Sequence, residues 1–239
     1  MGRKRKGRPG QQAVRTEFKR KLLAWWARAA RDLPWRRTRD PYRVLVSEFM
    51  LQQTQVSRVA EYYPRFIERF PDLETLASAK PRAVREAWDG LGYYARASNL
   101  HALARVVSKD HDGTLPDTPE ELIKLPGIGP YTAGAVATFA YEKPVPAVDT
   151  NVARVLRRVF FASRITHPAS RQVWALARTL VPKNGKQAWK FNQAIMELGA
   201  LVCVARKPRC PDCPVRPVCR TGKPRRNRRT GENSLSQDR

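Results

Sequence analysis

Apolar side chains recur at intervals of three and four residues along most of this chain, and no convincing stretch alternates as a strand would. In FKRKLLAWWARAARD, the residues Phe18, Leu22, Trp25 and Trp26 share one helical face. PYRVLVSEFMLQQ reads as a short apolar helix, and QVSRVAEYYPRFIERF as the next, with Thr54 as its predicted cap and a kink expected at Pro64. Gly90 is placed to close PRAVREAWDG, and Gly113 to close YYARASNLHALARVVSKDHDG. TPEEL spells a capping box, with Thr118 as N-cap, Pro119 at the first helical position and Glu121 at the third. VDTNVARVLRRVF, SRQVWALARTLV and AWKFNQAIMELGALV complete the helical set. The pattern predicts an all-α fold of roughly ten helices with short connections.

Charge narrows the partners. The chain carries 46 Lys and Arg against 21 Asp and Glu, a net charge of +25. Such an excess points to a polyanion, with nucleic acid first. No run of apolar residues is long enough to span a membrane. MGRKRKGRPG has no apolar region behind it, so it does not read as a secretory signal. An intracellular location is expected: cytoplasm and nucleoid, or the nucleus in a eukaryote. Residues 1–11 and 221–239 combine basic runs with Gly, Pro and Ser, and read as disordered arms able to touch phosphate.

LPGIGPYTAGA, from Leu125 to Ala135, joins two helix-like runs. Gly127 and Gly129 are both expected at positive φ, where backbone comes close to a ligand. Pro130 suits a first helical turn, and the free N–H groups there make an anion site. On this chain the anion would be a DNA phosphate.

Two carboxylates stand out. Glu48 sits among Val44, Leu45, Val46, Phe49, Met50 and Leu51, so burial should raise its pKa and suit it to general acid work. Asp149 opens a helix in VPAVDTNVARVL, where free N–H groups should favour its charged form. A protonated acid and a charged stabiliser together can cleave an N-glycosidic bond. The target nucleotide must first leave the base stack.

All four cysteines fall in one C-x6-C-x2-C-x5-C run: Cys203, Cys210, Cys213 and Cys219. Four thiolates can hold zinc or an iron–sulfur cluster, and spacing alone does not choose. His101, His111 and His167 are scattered and read as surface or packing residues.

LPWR, SEFMLQQTQV, LGYYARASNLH, LPGIGPYTAGA, VDTNVARV and FNQAIMELGALVC together resemble the A/G-mismatch adenine DNA glycosylases, the MutY family of helix-hairpin-helix DNA glycosylases. The resemblance runs from about Gln12 to Arg220. It implies a two-lobed fold: a six-helix barrel lobe over residues 35–144 with the hairpin, and an iron–sulfur lobe made of residues 12–34 and 145–220. It implies that Glu48 protonates the adenine, that Asp149 stabilises the sugar cation, that Asn151 supports the site and that Tyr131 lies beside the scissile bond. Gln53 and Tyr93 would wedge into the duplex. Thr54, Gly127, Gly129 and Thr132 would contact DNA, with a monovalent cation on the hairpin carbonyls. Trp35, Leu51 and Val56 would line the base pocket. The cysteines would hold a [4Fe–4S] cluster that serves structure and DNA binding. The expected partner is double-stranded DNA with a mismatch or lesion, bound by a monomer.

Two departures from the family's pattern bear on specificity. The sequence ends 20 residues after Cys219, without the C-terminal domain that helps the family recognise 8-oxoguanine. Tyr131 stands where bifunctional relatives carry a Schiff-base lysine, which predicts base removal without strand scission. The leading expectation is therefore monofunctional hydrolysis of adenine opposite guanine or 8-oxoguanine. The alternatives are a T/G or U/G mismatch glycosylase of the same fold and, third, a non-catalytic DNA-binding protein.

Overall fold

The computed structural model describes residues 10–161 and 171–222. Both arms, apart from their innermost residues, and His167 lie outside that range. The described residues form eleven α-helices and no strand. They are α1 (Gln11–Ala29), α2 (Pro41–Leu51), α3 (Val56–Arg69), α4 (Leu73–Ser78), α5 (Pro81–Ala87), α6 (Ala95–Asp110), α7 (Pro119–Leu122), α8 (Pro130–Phe139), α9 (Thr150–Leu156), α10 (Arg171–Leu180) and α11 (Gly185–Leu201). A short 3-10 turn, Pro34–Arg36, precedes α2, and α9 continues into a π-helical turn, Arg157–Phe161. None of these helices is long and apolar enough to cross a membrane.

Local chemistry explains several boundaries. Asp40 caps α2 by accepting the Arg43 N–H at 2.7 Å, and Pro41 fills the first position, where no N–H is needed. Asp72 caps α4 through the Thr75 N–H, and Asn184 caps α11 through the Gln187 N–H. Helix α4 is absent from the periodicity, because six residues with two buried leucines are too short to show a period.

Two predicted caps do not form. Gln55, not Thr54, is the N-cap of α3, and the Thr54 hydroxyl instead donates to the Gln52 carbonyl. Thr118 is the N-cap of α7 but makes no side-chain cap, and Glu121 pairs with Lys124 at 2.7 Å. A lysine within reach outcompetes a backbone N–H for a carboxylate on so short a helix. Gly90 and Gly113 do take left-handed backbone, at φ +88° and +72°. Pro64 is accommodated inside α3.

The apolar core has two large clusters. One gathers Leu45, Phe49, Phe66, Trp88, Leu100 and Leu122 from the segment between Leu33 and Ala137. The other joins Phe18 and Leu22 of α1 to Val152, Leu156, Leu180, Phe191 and Ile195 from the C-terminal half. A small cluster of Val44, Ala135, Phe139, Ala147 and Trp189 lies between them. Helix α2 packs on α3 and α8, while α11 packs on α1, α9 and α8. The two large cores thus meet along α2, α8 and α11, with a cleft beside the seam.

Candidate active site

The cleft has a volume of about 830 Å³ and is lined from both sides of the seam. Trp35, Glu48, Leu51, Gln53, Thr54, Val56 and Tyr131 come from one side, and Asp149 and Asn151 from the other.

Glu48 occupies the last turn of α2 and is 3% exposed. Burial pushes its carboxyl up to about 7, in the direction its apolar neighbours predict; the Tyr131 hydroxyl opposes this, Asp149 adds to it and Arg36 opposes it. Tyr131, in the first turn of α8, donates to Glu48 Oε2 at 2.7 Å. Burial and the two carboxylates hold its phenol well above the ordinary range.

Asp149 is the N-cap of α9, and Oδ1 accepts the Val152 N–H at 2.7 Å. Asn151 Nδ2 donates to Oδ2 at 2.8 Å. The net effect on Asp149 reverses the expectation from its helix-end position. Burial raises its pKa, and the hydrogen bonds from Val152 and Asn151 only oppose this. Desolvation at the seam outweighs one helix turn's N–H groups.

Several functional groups were not singled out by sequence. Glu197, 1% exposed, accepts from Arg31 at 2.7 and 2.9 Å and from Arg36 at 2.7 Å. Burial alone would raise its pKa, but the two guanidiniums hold it below the ordinary value. This triad forms a charged wall of the cleft. Gln193 is buried and also lines the cleft, with its amide in no hydrogen bond among the described residues. Asn192 accepts the Ala147 N–H at 3.0 Å and donates to the Val145 carbonyl at 3.0 Å, which seats the segment delivering Asp149. Arg154 donates to Asn151 Oδ1 at 2.6 Å and to the carbonyls of Gly199 and Cys203, each at 2.8 Å. Gly199 permits this approach: a Cβ there would lie 2.7 Å from that of Asn151. Periodicity marks these residues only as helix members, because their partners lie far away in the chain.

The hairpin corrects one expectation. Gly127 has φ +75°, and a Cβ there would meet Asn99 at 2.7 Å and Phe49 at 3.0 Å. Gly129 has φ −99°, an ordinary extended value, and serves as the N-cap of α8 with open space around it. One left-handed residue suffices to reverse the chain, and Gly129 needs only to cap. Thr132 is 3% exposed, and its hydroxyl accepts from Gln52 Nε2 at 3.4 Å, so it faces the interior and not a duplex. Tyr93, by contrast, is 63% exposed.

The four cysteines are free thiols lining one cavity of about 50 Å³. The Gly222 N–H donates to Cys219 Sγ at 3.2 Å, and Arg158 Nη1 to Cys203 Sγ at 3.5 Å. Burial, with the neighbouring thiols, raises Cys213 to about 11. Among the described residues, no three His, Cys, Asp or Glu side chains are gathered to hold a single ion. A sulfur-only donor set with N–H groups aimed at it suits zinc or an iron–sulfur cluster.

Residues 46–183 match the family model described as HhH-GPD superfamily base excision DNA repair protein. The chain belongs to the HhH-GPD superfamily. Adenine DNA glycosylase of Rattus norvegicus is 44% identical over 232 residues, covering 92% of this chain and 44% of that protein. Adenine DNA glycosylase of Mycolicibacterium smegmatis is 47% identical over 195 residues, covering 81% of this chain and 66% of the relative. The chain thus spans about half the length of the curated relatives it matches. The solved structure of a thermostable thymine-DNA glycosylase superposes with a TM-score of 0.83 at 32% identity, covering 90% of this chain and 99% of the other. In this HhH-GPD chain, the matched stretch contains Glu48, the Gly127 hairpin, Tyr131 and Asp149.

Proposed function

We propose that this chain is a monofunctional DNA glycosylase that removes adenine opposite guanine or 8-oxoguanine. One observation carries the reading: Glu48, with its carboxyl near 7 and bonded to Tyr131, shares one cleft with Asp149. Protonated Glu48 gives its proton to the departing base. As the glycosidic bond breaks, the electron pair leaves with the base and positive charge develops on the sugar. Asp149, held by Val152 and Asn151, stabilises that charge until water adds. Tyr131 orients the acid and supplies no amine, so strand scission does not follow.

The Gln193 amide at the cleft is compatible with adenine as the leaving base, since its donor and acceptor can meet the adenine N6/N7 edge. The likeness to a thymine-DNA glycosylase favours the second reading, a T/G or U/G enzyme.

Trp35, Leu51 and Val56 form the base pocket in this reading, and exposed Gln53 and Tyr93 enter the duplex where the base has left. The Gly127 hairpin and the N-terminus of α8 hold a backbone phosphate, with a monovalent cation on the hairpin carbonyls. The partner is a double-stranded DNA carrying a mismatch or lesion, bound by a monomer inside the cell. The split of the apolar core supports a barrel lobe over 35–144 and a second lobe from 12–34 and 145–220.

Cys203, Cys210, Cys213 and Cys219 would hold a [4Fe–4S] cluster. When bound, the cluster would cross-link the loop that Arg154 ties to Asn151 and Asp149.

The test is incubation with duplexes carrying A/8-oxoG, A/G, T/G and U/G, with abasic sites revealed by alkali. Adenine release supports the reading. Release of thymine or uracil alone selects the second, and no release from any duplex leaves a binding protein.

A further inference from the structure

Arg96, in the first turns of α6, is 7% exposed, and no carboxylate pairs with it among the described residues. Its guanidinium instead meets six backbone carbonyls. Nη1 donates to Phe49 at 3.0 Å, to Met50 at 2.8 Å and to Gln52; Nη2 donates to Leu91 at 3.1 Å and Gly92 at 2.9 Å; Nε donates to Tyr93 at 3.4 Å. The acceptors fall in two groups. Phe49, Met50 and Gln52 close the C-terminal end of α2, just past Glu48, where free carbonyls attract a cation. Leu91, Gly92 and Tyr93 form the loop between α5 and α6.

Each loop ends in a strained residue with an exposed side chain. Gln53 has φ +56° and Tyr93 φ +47°, left-handed values that L side chains adopt only when the surroundings hold them. Among the described residues, Tyr93 is the more exposed of the two large apolar side chains left open on the surface. The Trp88 indole donates to the Gly92 carbonyl at 3.2 Å, and Arg96 lies over the rings of Trp88 and Tyr93 at 5.4 and 5.7 Å. An exposed aromatic on a strained, braced loop of a basic protein is suited to stack on bases.

We propose that Arg96 is a positioning residue for base extrusion: its guanidinium fixes the spacing of the Gln53 and Tyr93 loops, so that both side chains enter the duplex together. The inference rests on reading the cleft as a base-excision site. Lysine cannot substitute, because one ammonium with three donors cannot span two sets of carbonyls.

The test uses the whole chain and a duplex with 2-aminopurine, a fluorescent adenine analogue, opposite guanine. Unstacking of the probe raises its fluorescence whether or not a base is later released. Wild type should raise the signal, and Arg96→Lys should cut the rise at saturating protein by about three-fold or more, with DNA affinity changed less than about three-fold. In a Gln53→Ala/Tyr93→Ala background, Arg96→Lys should remove no further signal. An equal further loss would mark general damage and overturn the inference, as would a wild type that binds without unstacking the probe. If Arg96→Lys does not fold, Trp88→Phe removes the Gly92 tether and should lower the signal in the same direction; an unchanged signal overturns it. Failure of the glycosylase reading is seen separately, as unstacking without base release from any duplex.

Discussion

The Tyr131 hydroxyl donates a 2.7 Å hydrogen bond to Glu48 Oε2, joining the first turn of the hairpin helix to the last turn of α2. The helix that follows the Gly127 turn therefore also holds the Glu48 carboxyl. The bond stabilises the ionised form of Glu48, while burial opposes it and wins.

Tyr131→Phe removes that donor. The Glu48 pKa should rise above about 7, and the fall in base release with increasing pH should move to higher pH. A single-turnover pH profile checks this, and a midpoint that stays or moves down contradicts the assignment.

Glu48→Gln should abolish base release and change the pH dependence of stability. The folded state holds the Glu48 proton more tightly than the unfolded chain, from 4.5 up to about 7. Its contribution is thus fully present below about 4.5 and is lost as pH rises through about 7. The variant should gain at most about 3 kcal/mol over wild type at pH 8 and little at pH 4. Denaturant melts at the two pH values decide it.

Asp149→Asn should lower base release by about a hundred-fold or more while DNA affinity stays within a few-fold. The amide oxygen still accepts the Val152 N–H, so the N-cap survives, while the charge and the bond from Asn151 Nδ2 are lost. Equal losses of binding and release would place Asp149 in the DNA contact instead.

Gly127→Ala and Gly129→Ala should differ. At Gly127 the left-handed φ and the 2.7 Å approach to Asn99 should destabilise by about 1–3 kcal/mol. At Gly129 the conformation is ordinary and the space open, so the cost should be about 1 kcal/mol or less. Thermal melts give the ranking, and a reversed order refutes it.

Protein purified without oxygen should be brown and carry about four iron atoms per chain, and Cys213→Ser should lose iron and stability together. Colourless protein with one zinc per chain would overturn the cluster.

Helical periodicity and breakers located ten of the eleven helices, and the short connections followed from the same signals. The periodicity missed α4, too short to show a period, and of the predicted capping box the Glu121 half is taken by Lys124 while the Thr118 hydroxyl makes no cap. Glu48 was legible because its own neighbours are apolar, so its burial is written locally. Asp149 was legible as an N-cap, but its charge balance was not, since desolvation comes from the seam between two cores.

The sequence alone determined ten of the eleven helices, the hairpin and the sulfur donor set, because each depends on residues within a few positions of one another, and composition set the basic charge. Tertiary structure alone decided which side chains meet. The Tyr131–Glu48 bond spans 83 residues, the Arg31–Glu197 pair 166, and the Arg96 contacts to α2 up to 47. A hydrogen bond needs its donor and acceptor within about 3 Å. Only the packing of α2 on α8 and α6, and of α11 on α1, sets those distances, and no local pattern encodes them.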